Sequence, residues 1–189
     1  MTKKELMKPL NFEHIPPFVP ESLDAPFGIN VIVETLRGTR NKIAYNEKYG
    51  VLELRHIVRR GMVWPCDFGF IPQTLGGDGD PLDVALLLDE PCFPGCLVQV
   101  RLLGAIGYVK DGERNDRLIA CPLTQHGSAV AWADVHALDD LSPRLLKELE
   151  GFFVDYQTFE GKQAKVTDRR DAEATMETVH AAVRAWKEK

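Results

Sequence analysis

The run Val84-Ala85-Leu86-Leu87-Leu88 is apolar and of buried-strand length, and the six residues before it, Asp78-Gly79-Asp80-Pro81-Leu82-Asp83, carry three carboxylates. No other feature of the chain constrains its fold as tightly. An apolar run of this kind is buried on both faces, whereas unpaired charge cannot follow it inside. The strand therefore starts at a mouth of the core, with the carboxylates at its rim. Asp78 and Asp80 share one side of an extended backbone, and Pro81 fixes φ and starts a turn that can swing Asp83 to the same point. Hard oxygen donors at this density point to Mg²⁺, which takes a few carboxylates and keeps waters for a phosphate-bearing substrate.

The competing reading is a solvated turn, since Asp, Gly and Pro are ordinary turn residues. A calcium loop does not fit. Counted from Asp78, the fifth, sixth and twelfth places hold Leu82, Asp83 and Asp89, where such a loop needs an oxygen ligand, Gly and Glu.

With 189 residues, 44% hydrophobic and 27% charged, the chain is expected to form one domain over 1–189, with residues 1–28 as an irregular, Pro-rich N-terminal segment. It carries no signal-like or membrane-length apolar stretch, so the expected location is cytoplasmic, with no membrane partner. Cys66, Cys92, Cys96 and Cys121 are expected to be reduced, and Cys92 and Cys96 lack the second ligand pair that zinc needs. The formal net charge of −5 argues against a nucleic-acid partner. Basic residues do cluster at 37–42 and 165–170, and the second cluster reads as a solvated loop. The five histidines are scattered, and only His56 has a site role to weigh.

Strands are expected at residues 29–35, 51–58, 62–70 (interrupted at Pro65), 84–88, 117–121 and 130–134. Residues 97–109, broken by Gly104 and Gly107, suit a strongly bent strand at a barrel corner. Two helices follow. Ser142 is an N-cap with Pro143 at the first helical position, and Leu145, Leu146, Leu149, Phe152, Phe153 and Tyr156 recur at helical spacing; a second helix starts after Asp171 with Met176, Val179, Val183 and Trp186. The fold class is α+β, a small barrel flanked by two C-terminal helices.

The segment from Asp78 to Val84 resembles the signature of the soluble family I inorganic pyrophosphatases, which use Mg²⁺ to hydrolyse pyrophosphate. The likeness runs through Glu34, Arg40-Asn41-Lys42, Trp64-Pro65-Cys66-Asp67-Phe68-Gly69-Phe70-Ile71, Pro94-Gly95, Leu118-Ile119-Ala120 and Phe152-Phe153, covering residues 20–185. It implies a five-stranded OB-type β-barrel, Mg²⁺ with Mn²⁺ as the other candidate ion, pyrophosphate as substrate, and assembly as a homohexamer. By the same resemblance Asp78 and Asp83 hold metal, and Asp80 is both a metal-site carboxylate and the base that activates water. Lys42, Arg117 and Tyr156 bind phosphate and assist catalysis, His56 falls at a phosphate-binding position, and Glu34 is a carboxylate behind the metal ligands.

The sequence departs from the family pattern at several of these positions. Ala44 stands where the family has an acid, His56 where it has arginine, Phe68 where it has tyrosine and Gln157 where it has lysine. Arg55 could replace the lost arginine only if the strand slipped by one residue or carried a bulge. In the second acidic cluster, an ungapped reading gives Lys110, Asn115 and Arg117. A one-residue shift in the hairpin loop instead gives Asp111 and Asp116 as two further metal ligands. The departures keep two alternatives open: a diverged paralogue acting on another phosphoanhydride or phosphoester, and a non-catalytic protein that binds metal or phosphate.

Overall fold

The computed structural model describes residues 9–19, 28–123 and 131–189. In chain order the strands are β1 (Gly28–Thr35), β2 (Asn41–Asn46), β3 (Val51–Ile57), β4 (Asp67–Phe70), β5 (Asp83–Leu86), β6 (Leu97–Lys110), β7 (Glu113–Arg114), β8 (Arg117–Pro122) and β9 (Ala164–Arg170), with helices α1 (Pro143–Phe159) and α2 (Ala172–Lys187). Neighbouring strands run β1-β4-β5-β8-β6, and β6 returns to pair with β1. Five strands thus close a barrel, antiparallel except where β5 meets β8. β9 and β7 extend β6 outside the ring, and β2 and β3 form a separate hairpin. The fold is α+β, as expected.

Alternation of side chains explains why the 84–88 run is apolar throughout. Val84, Leu86 and Leu88 join one core cluster, with Ile29, Val31, Val33, Val100, Leu102 and Leu118, and α2 closes it with Met176, Val179 and Val183. Ala85 and Leu87 face the other way, into a second cluster that α1 closes with Leu146, Leu149, Phe152, Phe153 and Tyr156. A strand buried on both faces has no polar side to show. Both helices start where their caps place them. Ser142 Oγ accepts from Leu145 N at 3.2 Å, and an Asp171 carboxylate oxygen accepts from Ala174 N at 2.8 Å.

Two glycines permit the barrel to close. A Cβ on Gly69 would collide with the Ile32 carbonyl of β1, so only glycine lets β4 lie against it here. At Gly104, φ is +145° and the β6–β8 register shifts. There β6 turns from its β1 partner, met by residues 97–101, towards β9.

Several expected elements differ. Within 62–70 only Asp67–Phe70 is strand, because Trp64 N bonds to the Thr39 carbonyl before Pro65 interrupts the run. Residues 131–134 form a turn, and Val130 lies outside the described residues. The basic stretch 37–42 ends in strand β2 rather than loop, and the cluster at 165–170 is strand β9. Of the N-terminal 28 residues, 9–19 are irregular apart from a bridge between Phe18 and Ile29, and Gly28 already belongs to β1.

Candidate active site

A cleft of about 590 Å³ opens at the end of the barrel from which β5 starts, and several elements send side chains into it. Glu34 comes from the end of β1, Lys42 and Ala44 from β2, Arg55 and His56 from β3, and Phe68 and Phe70 from β4. The loop before β5 brings Asp78 and Asp80, and β5 itself begins with Asp83. Lys110 ends β6, Asn115 comes from the link before β8 and Arg117 from its first position, and Tyr156 and Gln157 come from α1. Eight residues expected from sequence therefore meet here: Glu34, Lys42, His56, Asp78, Asp80, Asp83, Arg117 and Tyr156.

Asp111 and Asp116 do not join them. Asp111 sits in the hairpin turn with φ +52°, and its carboxylate accepts from Gln163 N at 2.9 Å. Asp116 turns away from the cleft, where it accepts from Tyr108 N at 3.2 Å and pairs with Arg114 and Arg170. Asn115 and Arg117, on either side of it, line the cleft, and Arg114 and Arg170 hold Asp116 on the other side. The structure thus places Asp111 and Asp116, the shifted reading of the second acidic pair, outside the cleft, and the ungapped trio Lys110, Asn115 and Arg117 in its lining.

The β3 strand holds a second outcome. Lys42 lies opposite His56, but Ile43 lies opposite Leu54, so Arg55 is an extra residue at a bulge. Both Arg55 and His56 consequently line the cleft. Arg55 reaches the cleft through that bulge, which depends on strand pairing and leaves no mark in composition.

Charge in the cleft is dense and mutually compensated. Asp83 pairs with Arg117 at 2.6 Å, and Asp78 accepts from the Asn115 amide, whose oxygen in turn accepts from Arg117. The Arg117 guanidinium also lies 5.5 Å from the Tyr108 ring centre and 5.8 Å from that of Phe68. Burial and the neighbouring charges of Asp78 and Asp83 push Asp80 above the ordinary carboxylate range. Burial likewise raises Glu34 to about 7, against the pull of Lys42 and of the bond its carboxylate accepts from Tyr45 N at 2.6 Å. The Lys42 ammonium, 4.3 Å from the Phe68 ring centre, is lowered by burial and held up by Asp83 and Glu34. On the α1 side Tyr156 Oη and His56 Nε2 are 2.6 Å apart with their rings stacked. Burial lowers His56 below its ordinary 6.5 and raises Tyr156. A neutral imidazole can then accept from the tyrosine hydroxyl.

The donor set fits a magnesium ion on the Asp78, Asp80 and Asp83 side. These are hard oxygen donors, and the burial and mutual repulsion that raise Asp80 are what a divalent cation would offset. Among the described residues no three His, Cys, Asp or Glu groups stand together as a preformed cage. The Asn115 and Arg117 contacts hold two of the three aspartates instead.

A family model described as inorganic pyrophosphatase matches residues 31–187. The chain is 34% identical to the inorganic pyrophosphatase of Halalkalibacterium halodurans, across 86% of this chain and 97% of that one. It is also 34% identical to the inorganic pyrophosphatase of Methanosarcina acetivorans, across 85% and 93%. Among solved structures, an inorganic pyrophosphatase from Neisseria gonorrhoeae is 30% identical with a TM-score of 0.82, covering 94% of this chain and 99% of that one. That from Thermus thermophilus is 29% identical with a TM-score of 0.80, covering 90% and 98%.

Proposed function

The chain belongs to the inorganic pyrophosphatase family, and from that premise we propose that its carboxylate-lined cleft is where pyrophosphate is split, with Mg²⁺ held by Asp78, Asp80 and Asp83. The protein is an inorganic diphosphatase, hydrolysing inorganic pyrophosphate to two phosphates. The observation that carries the site assignment is the convergence of these three aspartates with Lys42, Arg117 and Tyr156 on one cleft.

When bound, the ion supplies Lewis-acid polarisation of phosphate oxygens and makes water more acidic. The chain supplies the rest. Asp80, with its raised proton affinity, is the base that takes a proton from the attacking water. Lys42 and Arg117 hold phosphate oxygens, Arg117 through a planar fork where a lysine would be a point charge. Tyr156, its phenol kept protonated, shifts the hydrogen bond it gives His56 Nε2 in the free cleft onto the phosphate being attacked or released. As the water oxygen bonds to phosphorus, the bridging P–O bond breaks and its electron pair leaves with the second phosphate. Glu34 stands behind the aspartates and tunes the charge they share with Lys42.

A second reading has one observation in its favour. Gln157 and a His56 whose proton affinity burial lowers line the cleft where the family pattern has cations, which loosens the grip on a bare tetraanion relative to a less charged organic phosphate. Phosphate release by the purified protein from magnesium pyrophosphate, a panel of nucleotides and sugar phosphates decides between them. The main reading expects pyrophosphate to be the best substrate; an organic phosphate turned over well above it would favour the second.

Three further points belong to the same reading: a single domain over 1–189, assembly as a homohexamer and residence in the cytoplasm. Their support is the family resemblance, together with the absence, among the described residues, of a helix long and apolar enough to cross a membrane. Light scattering on the eluting protein tests the oligomer.

A further inference from the structure

The hairpin that joins β6 to β8 sorts its charged side chains by sign. Its two carboxylates lie outside the cleft, Asp111 in the turn against Gln163 N and Asp116 beneath Arg114 and Arg170. To the cleft it presents Lys110, Asn115 and Arg117. Two of the three answer an aspartate on the facing loop: Asn115 binds Asp78 and Arg117 binds Asp83, while Lys110 lines the same cleft as Asp80. Among the described residues the Lys110 ammonium has no ion-pair partner within 4.0 Å, although it lines the cleft. A cation could not bind on the hairpin side, because no anionic ligand there faces inward and a lysine and an arginine would repel it.

We propose that Lys110 is a built-in cation that binds phosphate on the hairpin side of the cleft, so that the site loads a single divalent ion, on the Asp78, Asp80 and Asp83 side. The inference rests on the assignment of those aspartates to metal. An ammonium tethered to β6 neutralises phosphate oxygens without ligands of its own and without dissociating. It does so as one charge where an ion would bring two. The consequence is a shallow dependence on metal concentration, first order in the ion outside the substrate complex.

Calorimetric titration of the full chain with Mn²⁺ tests this directly, beside Lys110→Ala and the double variant Lys110→Asp, Asn115→Asp, each checked for native circular dichroism. Wild type is expected to take up one ion per chain. The double variant is expected to gain a second, bound at least tenfold more tightly than any further uptake by wild type. Lys110→Ala is expected to keep one ion but to bind inorganic phosphate five- to tenfold more weakly, and it guards against a double variant that does not fold. Two ions per chain on wild type, or phosphate affinity unchanged in Lys110→Ala, would overturn the proposal. Phosphate release from magnesium pyrophosphate separates its fate from that of the hydrolytic reading. One-ion uptake without any release sinks that reading alone, and brisk release with two-ion uptake sinks the Lys110 proposal alone.

Discussion

At the scale of single residues, Glu34 and His56 make the chemistry of the cleft visible in pH dependence. Glu34 is held up to about 7 from an ordinary 4.5 by burial, so between those values the folded chain keeps a proton that the unfolded chain has lost. Its contribution to stability is present below 4.5 and is lost as pH rises through about 7. Glu34→Gln removes that loss while keeping an oxygen for Tyr45 N. In a chelating buffer its melting temperature should therefore gain on wild type between pH 5 and 8, by roughly 2–4 °C for each kcal/mol recovered, with about 1.4 kcal/mol per pKa unit. A difference that stays constant with pH would show that Glu34 ionises normally.

His56 shifts in the other direction. Burial lowers it below 6.5, so it is neutral at pH 7 and accepts from Tyr156, and it charges only as pH falls through its depressed value. A positive ring beside bound phosphate strengthens the grip, so KM for pyrophosphate should fall at acid pH in wild type. His56→Arg should flatten that inflection; a profile that keeps it would remove His56 from the phosphate site. At this scale Asp78, Asp80 and Asp83 were legible in the sequence, because carboxylates at the head of an apolar strand have nowhere to go but a mouth. Which of Asp111, Asn115 and Asp116 faces the cleft was not legible, because a one-residue shift in a hairpin leaves composition unchanged and reverses every side chain.

At the scale of elements, legibility follows how purely a segment shows its period. β1, β5 and β8 are apolar runs and could be read directly. α1 and α2 carry caps as well as a helical apolar stripe. β9 was missed because it is polar or charged at all but two positions, Ala164 and Val166, yet its burial alternates strictly along the strand. Lysine and arginine stems can cover an apolar edge while their charges stay in water, which disguises a strand as a loop. β2 was missed for a similar reason, its first turn of sequence being the basic cluster that also supplies Lys42. The closure of the barrel yields a contrast in stability. Gly69→Ala drives a methyl into the Ile32 carbonyl and should cost on the order of 3 kcal/mol or prevent folding, whereas Ser142→Ala removes one capping bond and should cost about 1 kcal/mol. Urea unfolding of the two variants checks the order, and an alanine tolerated at 69 as easily as at 142 would contradict the tight β1–β4 approach.

At the scale of the whole molecule, two helices and a closed five-stranded barrel leave a cleft into which β1 to β6, β8 and α1 all send side chains. Five carboxylates, Glu34, Glu47, Asp78, Asp80 and Asp83, face five cations, Lys42, Arg55, Lys110, Arg117 and Lys162, around the same cleft. Such a balance lets the chain hold a highly charged substrate and its ion without a large net charge of its own in the site. On the proposed reading, Lys42, Lys110 and Arg117 supply the positive charge and Asp80 activates the water. The measurement that bears most directly on this account is steady-state phosphate release from magnesium pyrophosphate by wild type and by Asp80→Ala, with both proteins shown to be folded. The account predicts release by wild type and a loss of at least a hundredfold in kcat for Asp80→Ala, in line with removal of a general base. Release that is absent from wild type, or that survives the loss of Asp80, would contradict it.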